Sequence, residues 1–184
     1  MFLSSCAVTN VGKYVPPNTE DTNFTNSVIS KKNFDETWTS VIDFVSGSFF
    51  NIENFEKDSG LLTLSFGSRE AENFIDCGDF EASLDNGEEF KGPYTEYALT
   101  SLYAVLQAKM NINIRKVDNE STKIRINTNY VFKIFPGSRM QQSWNFVSGD
   151  YQTKNVRGRT AGTIPTRTCK STNFAENAIL NVIK

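Results

Sequence analysis

The chain has 184 residues, of which 39% are hydrophobic and 12% aromatic. This length supports one hydrophobic core and is short for two, so the sequence predicts a single domain. The 19 basic and 21 acidic residues are mixed along the chain and give a net charge of −2, which indicates neither a polybasic nucleic-acid surface nor an acidic tail. No run of about 18 apolar residues occurs, so no membrane-spanning helix is predicted.

The N-terminal segment 7–32 is rich in Asn, Thr and Ser and shows no apolar repeat with a period of 2 or 3.6 residues. Such a composition buries too little apolar surface to offset the entropy lost when the segment becomes ordered. We therefore predict a flexible tether over 7–32, followed by one domain over 33–184. The candidate partner-binding residues in the tether are Tyr14, Val15, Pro16 and Pro17.

The sequence contains an odd number of cysteines, namely Cys6, Cys77 and Cys169. In an exported protein an odd count usually means that one cysteine has a separate role. Cys6 is set apart from the other two by its position, because it precedes the predicted tether.

The residues Leu3-Ser4-Ser5-Cys6 resemble the lipobox of bacterial lipoproteins, in which a leucine and two small residues precede an acylated cysteine. On this resemblance residues 1–6 are the remnant of a signal peptide, whose charged and apolar stretches are missing upstream. The resemblance makes Cys6 the lipidation site and, with Ala7 in place of Asp, implies sorting to the outer membrane. Such an anchor is stable because each buried CH2 group contributes about 0.8 kcal/mol.

A periplasmic location would place Cys77 and Cys169 in an oxidising compartment, where a disulfide between them is expected. The bridge would close a loop of roughly 90 residues and stabilise the fold by on the order of 4 kcal/mol. The alternative is two separate buried thiols. A metal site is not indicated, since the sequence has no His and neither cysteine belongs to a Cys-x-x-Cys pair.

The first regular elements after the tether are a helix and a hairpin. Asn33 and Glu36 have the spacing of a capping box, and the apolar residues that follow recur at helical spacing, which predicts a helix over 34–46. Two β-prone runs, at 49–55 and 61–66, flank a turn that contains glycine and predict a hairpin.

The middle of the chain is less regular. An acidic segment, 68–92, predicts a long loop around a short strand at 74–77. Residues 96–110 fit neither period, so both a helix and a strand stay open there, and we favour a strand because the following pattern is clearly β. Apolar and polar residues then alternate over 110–114 and 124–130 around a polar turn, which predicts a second hairpin.

Three further segments complete the chain. Residues 141–147 predict a strand, and 149–167 predict a long loop that is rich in Gly, Thr and basic residues. Apolar residues at helical spacing over 174–183 predict a closing helix. The predicted architecture is α+β, an antiparallel sheet with a helix near each end of the chain.

The stretch KKNFDETWTSVIDFVSGSFFNIENFEKDSGLLTLSF, a helix with a central Trp followed by a hairpin, is similar to the start of BamC-type lipoprotein domains. The likeness covers about 36 of the 184 residues. It implies a helix-grip type of fold and a place in the cell envelope, since BamC is an accessory lipoprotein of the outer-membrane protein assembly machine. BamC has two such domains, whereas this chain has room for one.

Candidate chemistry is sparse. The absence of His removes the commonest general base, and Asp76 and Asp79, which flank Cys77, are typical of solvated loop carboxylates. We predict no catalytic residues, no cofactor and no nucleic-acid partner. Positive charge is concentrated late in the chain, where it could bind an acidic partner or form a solvated surface. These basic residues are Arg157, Arg159, Arg167 and Lys170, and Arg157 and Arg159 are the partner-binding candidates.

The expected function is that of a non-enzymatic lipoprotein, anchored in the outer membrane through Cys6 and facing the periplasm. It would serve as an interaction or accessory subunit of an envelope assembly, with a protein partner. The alternative is a periplasmic domain that holds an apolar or amphipathic ligand between the sheet and a helix. A filled interior would favour the first function, and an apolar cavity open to solvent the second.

Overall fold

The described part of the computed structural model contains three antiparallel sheets and three α-helices. This confirms the predicted α+β class with a helix near each end of the chain. The structure describes residues 12–20, 24–67, 70–84, 86–136, 141–156 and 165–183.

The largest sheet, called the main sheet below, has six strands. Its strands are β2 (Ser27–Ser30), β3 (Asn51–Glu56), β4 (Leu61–Phe66), β8 (Ala104–Lys116), β9 (Thr122–Ile134) and β10 (Gln142–Val147). The order is β10-β9-β8-β4-β3, and β2 pairs with β9 as well. The two predicted hairpins are confirmed as β3–β4 and β8–β9, and the predicted strand at 141–147 is confirmed as β10.

Strict alternation of apolar and polar residues explains the long central hairpin. β8 and β9 each have 13 residues, and Ala104 pairs with Ile134 while Lys116 pairs with Thr122. Since successive side chains of a strand point to opposite faces, the even-numbered residues of both strands enter the core and the odd-numbered ones point outward. The exception is Lys116, which is exposed at the end of β8. The main sheet therefore has a buried inner face and a polar outer face.

Two helices cover the inner face, α1 (Phe34–Ser46) and α3 (Phe174–Val182). The predicted capping box begins α1, because Asn33 Oδ1 accepts from the Glu36 backbone N at 2.9 Å and Glu36 Oε2 accepts from the Asn33 N at 3.4 Å. The core lies between the helices and the sheet. Its fully buried side chains include Val41, Val45, Leu64, Met110, Ile112, Ile126, Phe132, Trp144 and Ile179.

Two smaller sheets complete the fold. One has the order β1-β6-β7 and the other β11-β12-β5. Their strands are β1 (Lys13–Val15), β5 (Ile75–Asp76), β6 (Asp79–Ser83), β7 (Glu89–Pro93), β11 (Tyr151–Asn155) and β12 (Thr166–Ser171). A short 3-10 helix, Ala71–Asn73, precedes β5, and helix α2 (Tyr94–Ser101) connects β7 to β8.

The predicted tether over 7–32 is wrong for the part of it that the structure describes. β1 pairs with β6, and β2 pairs with β9 from Ser27 opposite Arg125 to Ser30 opposite Thr122. The Ser30 hydroxyl also donates to the Ile183 carbonyl oxygen at 2.8 Å. The segment itself has a low apolar content, but β6 and β9, which lie later in the chain, supply the hydrogen bonds that order these residues.

Three predictions for segments within the domain also need correction. The acidic loop contains the hairpin β6–β7, whose strands carry few apolar residues. Residues 94–101 form α2 instead of a strand, because its buried face includes the polar Thr95 and hides the helical period. The described part of the loop at 149–167 contains β11, which pairs with β12. The short predicted strand at 74–77 is confirmed as β5.

Candidate functional site

Cys77 and Cys169 form a disulfide, with 92 residues of sequence separation between them. Both side chains are buried, Cys77 directly after β5 and Cys169 within β12. The predicted pairing is confirmed. The bridge joins the two strands that precede β6 and α3, so it fastens the last helix to the middle of the chain.

Three candidate residues lie outside the described part of the chain, namely Cys6, Arg157 and Arg159. The other two basic candidates are not a free cationic surface. Arg167 is only 7% exposed, and Lys170 Nζ donates to the Asn18 carbonyl oxygen at 2.5 Å.

Arg167 lies in an aromatic box formed by Tyr14, Phe80 and Tyr94. Its guanidinium carbon is 4.2, 5.0 and 5.2 Å from the centres of these three rings. The Tyr14 hydroxyl donates to the Thr168 carbonyl oxygen at 3.2 Å and accepts from the Thr168 backbone N at 2.9 Å. Tyr14, predicted as a partner-binding residue, is thus occupied within the fold, where cation–π contacts hold β1 against β12.

Burial sets the protonation behaviour of this box. It raises the pKa of Tyr94 to about 12, against the smaller opposite effect of the nearby Arg167 cation. Burial also raises the pKa of Tyr14 and lowers that of Arg167. A raised tyrosine pKa means that the folded state favours the neutral phenol.

This raised pKa predicts a loss of stability in alkali. Above pH 10, the ordinary tyrosine pKa, Tyr94 of the unfolded chain loses its proton while the folded chain keeps it, so stability falls until the pH passes the folded pKa of about 12. Each pH unit costs about 1.4 kcal/mol per proton. Urea unfolding should be measured from pH 9 to pH 12, a range whose upper two units, roughly, lie above the ordinary tyrosine pKa. The free energy of unfolding should decline less steeply with pH for Tyr94→Phe than for the wild type. Equal declines in the two proteins would contradict the assignment.

The rest of the predicted docking segment is partly accessible. Val15 is 48% exposed, Pro16 is exposed and Pro17 is buried. A Cβ at Gly78 would lie 2.2 Å from the Val15 carbonyl oxygen, so only glycine allows this close approach. The structure therefore fixes the backbone of this segment and leaves the Val15 and Pro16 side chains at the surface.

The described residues offer no evident centre for catalysis or metal binding. Asp76 Oδ1 accepts from the Gly78 backbone N at 2.8 Å, as in a local turn, and Asp79 is exposed. No group of three or more His, Cys, Asp or Glu side chains in the described ranges could hold a metal ion.

A buried carboxylate network, which the sequence did not reveal, joins α3 to the main sheet. The side chains of Glu176 and Tyr130 are fully buried. The Tyr130 hydroxyl lies 3.0 and 2.9 Å from the two carboxylate oxygens, and the Ser148 hydroxyl donates to Glu176 Oε1 at 2.5 Å. Burial and the neighbouring Glu176 raise the pKa of Tyr130. Glu176 lies in the first turn of α3, and its side chain points into the core.

The outermost strand of the main sheet, β3, is exposed along its whole length. One edge pairs with β4, and no strand in the described part of the chain pairs with the other. β3 contains neither Pro nor Lys. Of the features that commonly protect such an edge, it has the charged side chains of Glu53 and Glu56 and a bulge. Its register shifts between Ile52 and Asn54, so a bulge at Glu53 is the one irregularity.

Large apolar side chains follow this free edge. Ile52 and Phe55 lie opposite Leu64 and Leu62, which enter the core, so both project at the rim of the same face. Phe49, just before β3, packs its ring 6.2 Å from that of Phe174, the first residue of α3. We call the four residues the edge patch. Their exposed fractions are 42% for Phe49, 38% for Ile52, 63% for Phe55 and 49% for Phe174.

A groove of about 1060 Å³ lies on the outer face of the main sheet. Polar residues line it together with apolar ones, among them Glu53, Gln107, Tyr103 and Val131. It does not lie between the sheet and the helices, where the described side chains are close-packed.

Comparison of the chain with models of protein families, with curated proteins and with solved structures gave no match. None of the described helices is long and apolar enough to cross a membrane.

Proposed function

We propose that this protein is a non-enzymatic lipoprotein of the outer membrane that serves as an interaction subunit of an envelope assembly. Cys6 carries the lipid anchor, and the domain faces the periplasm. The lipobox-like residues before Cys6 support the anchor, and the disulfide between Cys77 and Cys169 is typical of an oxidising compartment.

The observation that carries the interaction role is the free edge of β3 with its edge patch. An unpaired strand edge presents backbone N–H and C=O groups to any extended segment that approaches. A protein partner that adds a strand there gains these hydrogen bonds and also covers Ile52 and Phe55. Scattered apolar residues are common on protein surfaces, but here they lie beside backbone groups that lack partners, a combination that suits strand addition.

The packing of the core gives less support to the alternative function. An apolar ligand between the sheet and a helix needs a cavity there, whereas Val41, Leu64, Met110 and Ile179 fill that space with no exposure. Ligand binding in the interior is therefore not proposed.

In vivo photo-crosslinking tests the β3 interface. With a photoreactive amino acid at position 55 of the full reading frame in a Gram-negative host, we expect one discrete protein adduct in the outer-membrane fraction. The pair Ile52→Lys and Phe55→Lys should prevent that partner from copurifying, because two charges would be buried at the interface. Val117→Lys is the matched control, since Val117 is 53% exposed in a turn away from β3, and it should leave copurification unchanged.

The anchor is tested in the same cells. Radiolabelled palmitate should be incorporated into the wild type and not into Cys6→Ser. A product that remains in the cytosol, unlabelled and with free thiols, would refute the lipoprotein proposal. Equal loss of the adduct in the Val117→Lys control would refute the β3 interface alone.

A further inference from the structure

The outer face of the central hairpin carries charge of one sign. None of the outward-pointing residues of β8 and β9 is acidic. The outward-pointing cations are Lys109, Arg115, Lys123, Arg125 and Lys133. This imbalance is local, because the whole chain has a net charge of −2.

Three of the cations crowd one end of this face. Arg115 lies directly opposite Lys123, and Arg125 lies two residues further along β9. Like charges at opposite positions of an antiparallel pair destabilise the pairing. Neither Lys123 nor Arg125 has a carboxylate within 4.0 Å among the described residues, whereas Lys109 pairs with Glu53 at 3.2 Å. The fold thus retains a repulsion that a bound anion would relieve.

Amide side chains occupy the positions between the cations. Asn111 lies opposite Asn127, Asn113 opposite Arg125, and Asn129 opposite Lys109. Asn111 Oδ1 accepts from the Thr63 hydroxyl at 3.3 Å and Asn113 Oδ1 from Arg115 Nε at 2.7 Å. Their amide N–H groups remain as donors that suit the hydroxyl groups of a sugar. The amides and the cations together form a strip along both strands, roughly 40 Å long at about 3.3 Å per residue.

An exposed aromatic ring stands at the other end of the strip, in the groove on the outer face. Tyr103 is 70% exposed and has a φ of 52°, a left-handed conformation that a bulky residue rarely adopts. Its carbonyl oxygen accepts from the Phe135 backbone N at 3.0 Å, and the two rings are 5.6 Å apart. These contacts hold the strained residue in place with its ring at the surface.

We propose that the outer face of β8 and β9 binds an acidic polysaccharide, which lies along the strip. Arg115, Lys123 and Arg125 bind its anionic groups, the asparagine amides bind its hydroxyls, and the Tyr103 ring packs against the face of a sugar. This site includes the groove that Glu53 of β3 also lines, but it uses the outer face of the sheet, whereas Ile52 and Phe55 project at the rim of the inner face. It does not depend on a lipid anchor at Cys6.

Charge density and composition favour this ligand over two other polyanions. Duplex DNA carries one charge per about 1.7 Å, so a roughly 40 Å strip with five cations would neutralise few of its phosphates. A bilayer surface selects clusters of basic residues with apolar side chains that insert. Here the exposed Ile29 of β2 lies opposite Lys123, but asparagines lie opposite Lys109 and Arg125.

Calorimetric titration of the full chain with polygalacturonate oligosaccharides tests the site, and the fully methyl-esterified oligosaccharides serve as the uncharged comparison. We expect the charged form to bind and the esterified form to bind at least tenfold more weakly. The variant Arg115→Gln, Lys123→Gln, Arg125→Gln should weaken binding at least tenfold and reduce the slope of log K against log salt by about 2. The variant Asn111→Ala, Asn127→Ala should weaken binding several-fold without a change in that slope.

The charge-matched control is Lys13→Gln, Lys91→Gln, Lys154→Gln, which removes three cations from the smaller sheets. It should keep the wild-type affinity within about twofold, since electrostatic attraction between exposed groups is largely screened beyond about 10 Å. An equal loss in this control, or no binding of polygalacturonate at all, would overturn the proposal. So would equally tight binding of duplex DNA or of phosphatidylglycerol vesicles, or an unchanged affinity in the asparagine variant. None of these results bears on the β3 interface, which the crosslinking tests separately.

Discussion

Replacing Cys77 and Cys169 by alanine is expected to lower the free energy of unfolding by about 4 to 5 kcal/mol. The bridge closes a loop with 92 residues of sequence separation, and the chain-entropy treatment gives this magnitude for such a loop. For a chain of this size the loss corresponds to roughly 10 to 15 °C in the melting temperature. Urea unfolding and thermal melts measure both quantities, with Cys6→Ser included in every protein so that no other thiol can pair.

Reductant provides the control for this prediction. Alanine also leaves small cavities at two buried positions, whereas reduction of the parent protein removes the bond and leaves the side chains. We expect reductant to destabilise the parent protein by an amount close to the double substitution and to leave the alanine variant unaffected. A melting temperature that reductant does not change in either protein would show that Cys77 and Cys169 are not joined.

Replacing Glu176 by alanine is expected to cost about 3 to 5 kcal/mol. The substitution leaves the buried Tyr130 hydroxyl without its acceptor, which costs about 1 to 3 kcal/mol, and the loss of a buried side chain adds to this. The half-buried Ser148 hydroxyl keeps the Thr128 carbonyl oxygen, at 3.4 Å, as an acceptor. Tyr130→Phe should lower the free energy of unfolding by less, about 1.5 to 3 kcal/mol, because Glu176 still accepts the hydrogen bond from the Ser148 hydroxyl. Urea unfolding at neutral pH measures these losses.

A double-mutant cycle separates the hydrogen bonds from the packing. Because Tyr130 and Glu176 are partners, the double variant should be more stable than the sum of the single losses predicts, by at least about 1 kcal/mol. Glu36→Ala is a useful comparison, since Glu36 is an acidic residue in the first turn of α1 and its loss should cost about 1 kcal/mol. Additive losses for Tyr130 and Glu176 would contradict the network.

The elements that the sequence predicted well are those whose stabilising pattern is local. The capping box at Asn33 and Glu36 fixed the start of α1, and alternation over β8 and β9 fixed both the hairpin and its inner face. β1 and β2 were not predicted because they become ordered only by pairing with strands distant in the sequence, as Ser27 does with Arg125. α2 escaped because a buried Thr95 interrupts its apolar face.

The candidate sites divide in the same way. The pairing of Cys77 with Cys169 followed from the cysteine count and the expected compartment, without any geometry. By contrast, the sequence could not show that β3 ends the sheet, nor that Arg115 faces Lys123, because both facts depend on strand order and register. For Arg167 the sequence predicted too much exposure. It belongs to a run of basic residues that suggested a charged surface, but its side chain lies in an aromatic box.

The place of β1 in the fold determines how the domain would carry mechanical load. Among the described elements, β1 is the one that follows Cys6 first in the chain, and it meets β6 through three residue pairs. Tension from an anchor at Cys6 would pass through it. Tyr14 is bonded to Thr168, the neighbour of the cross-linked Cys169. The pull would therefore pass from β1 into the small sheet that the disulfide crosslinks.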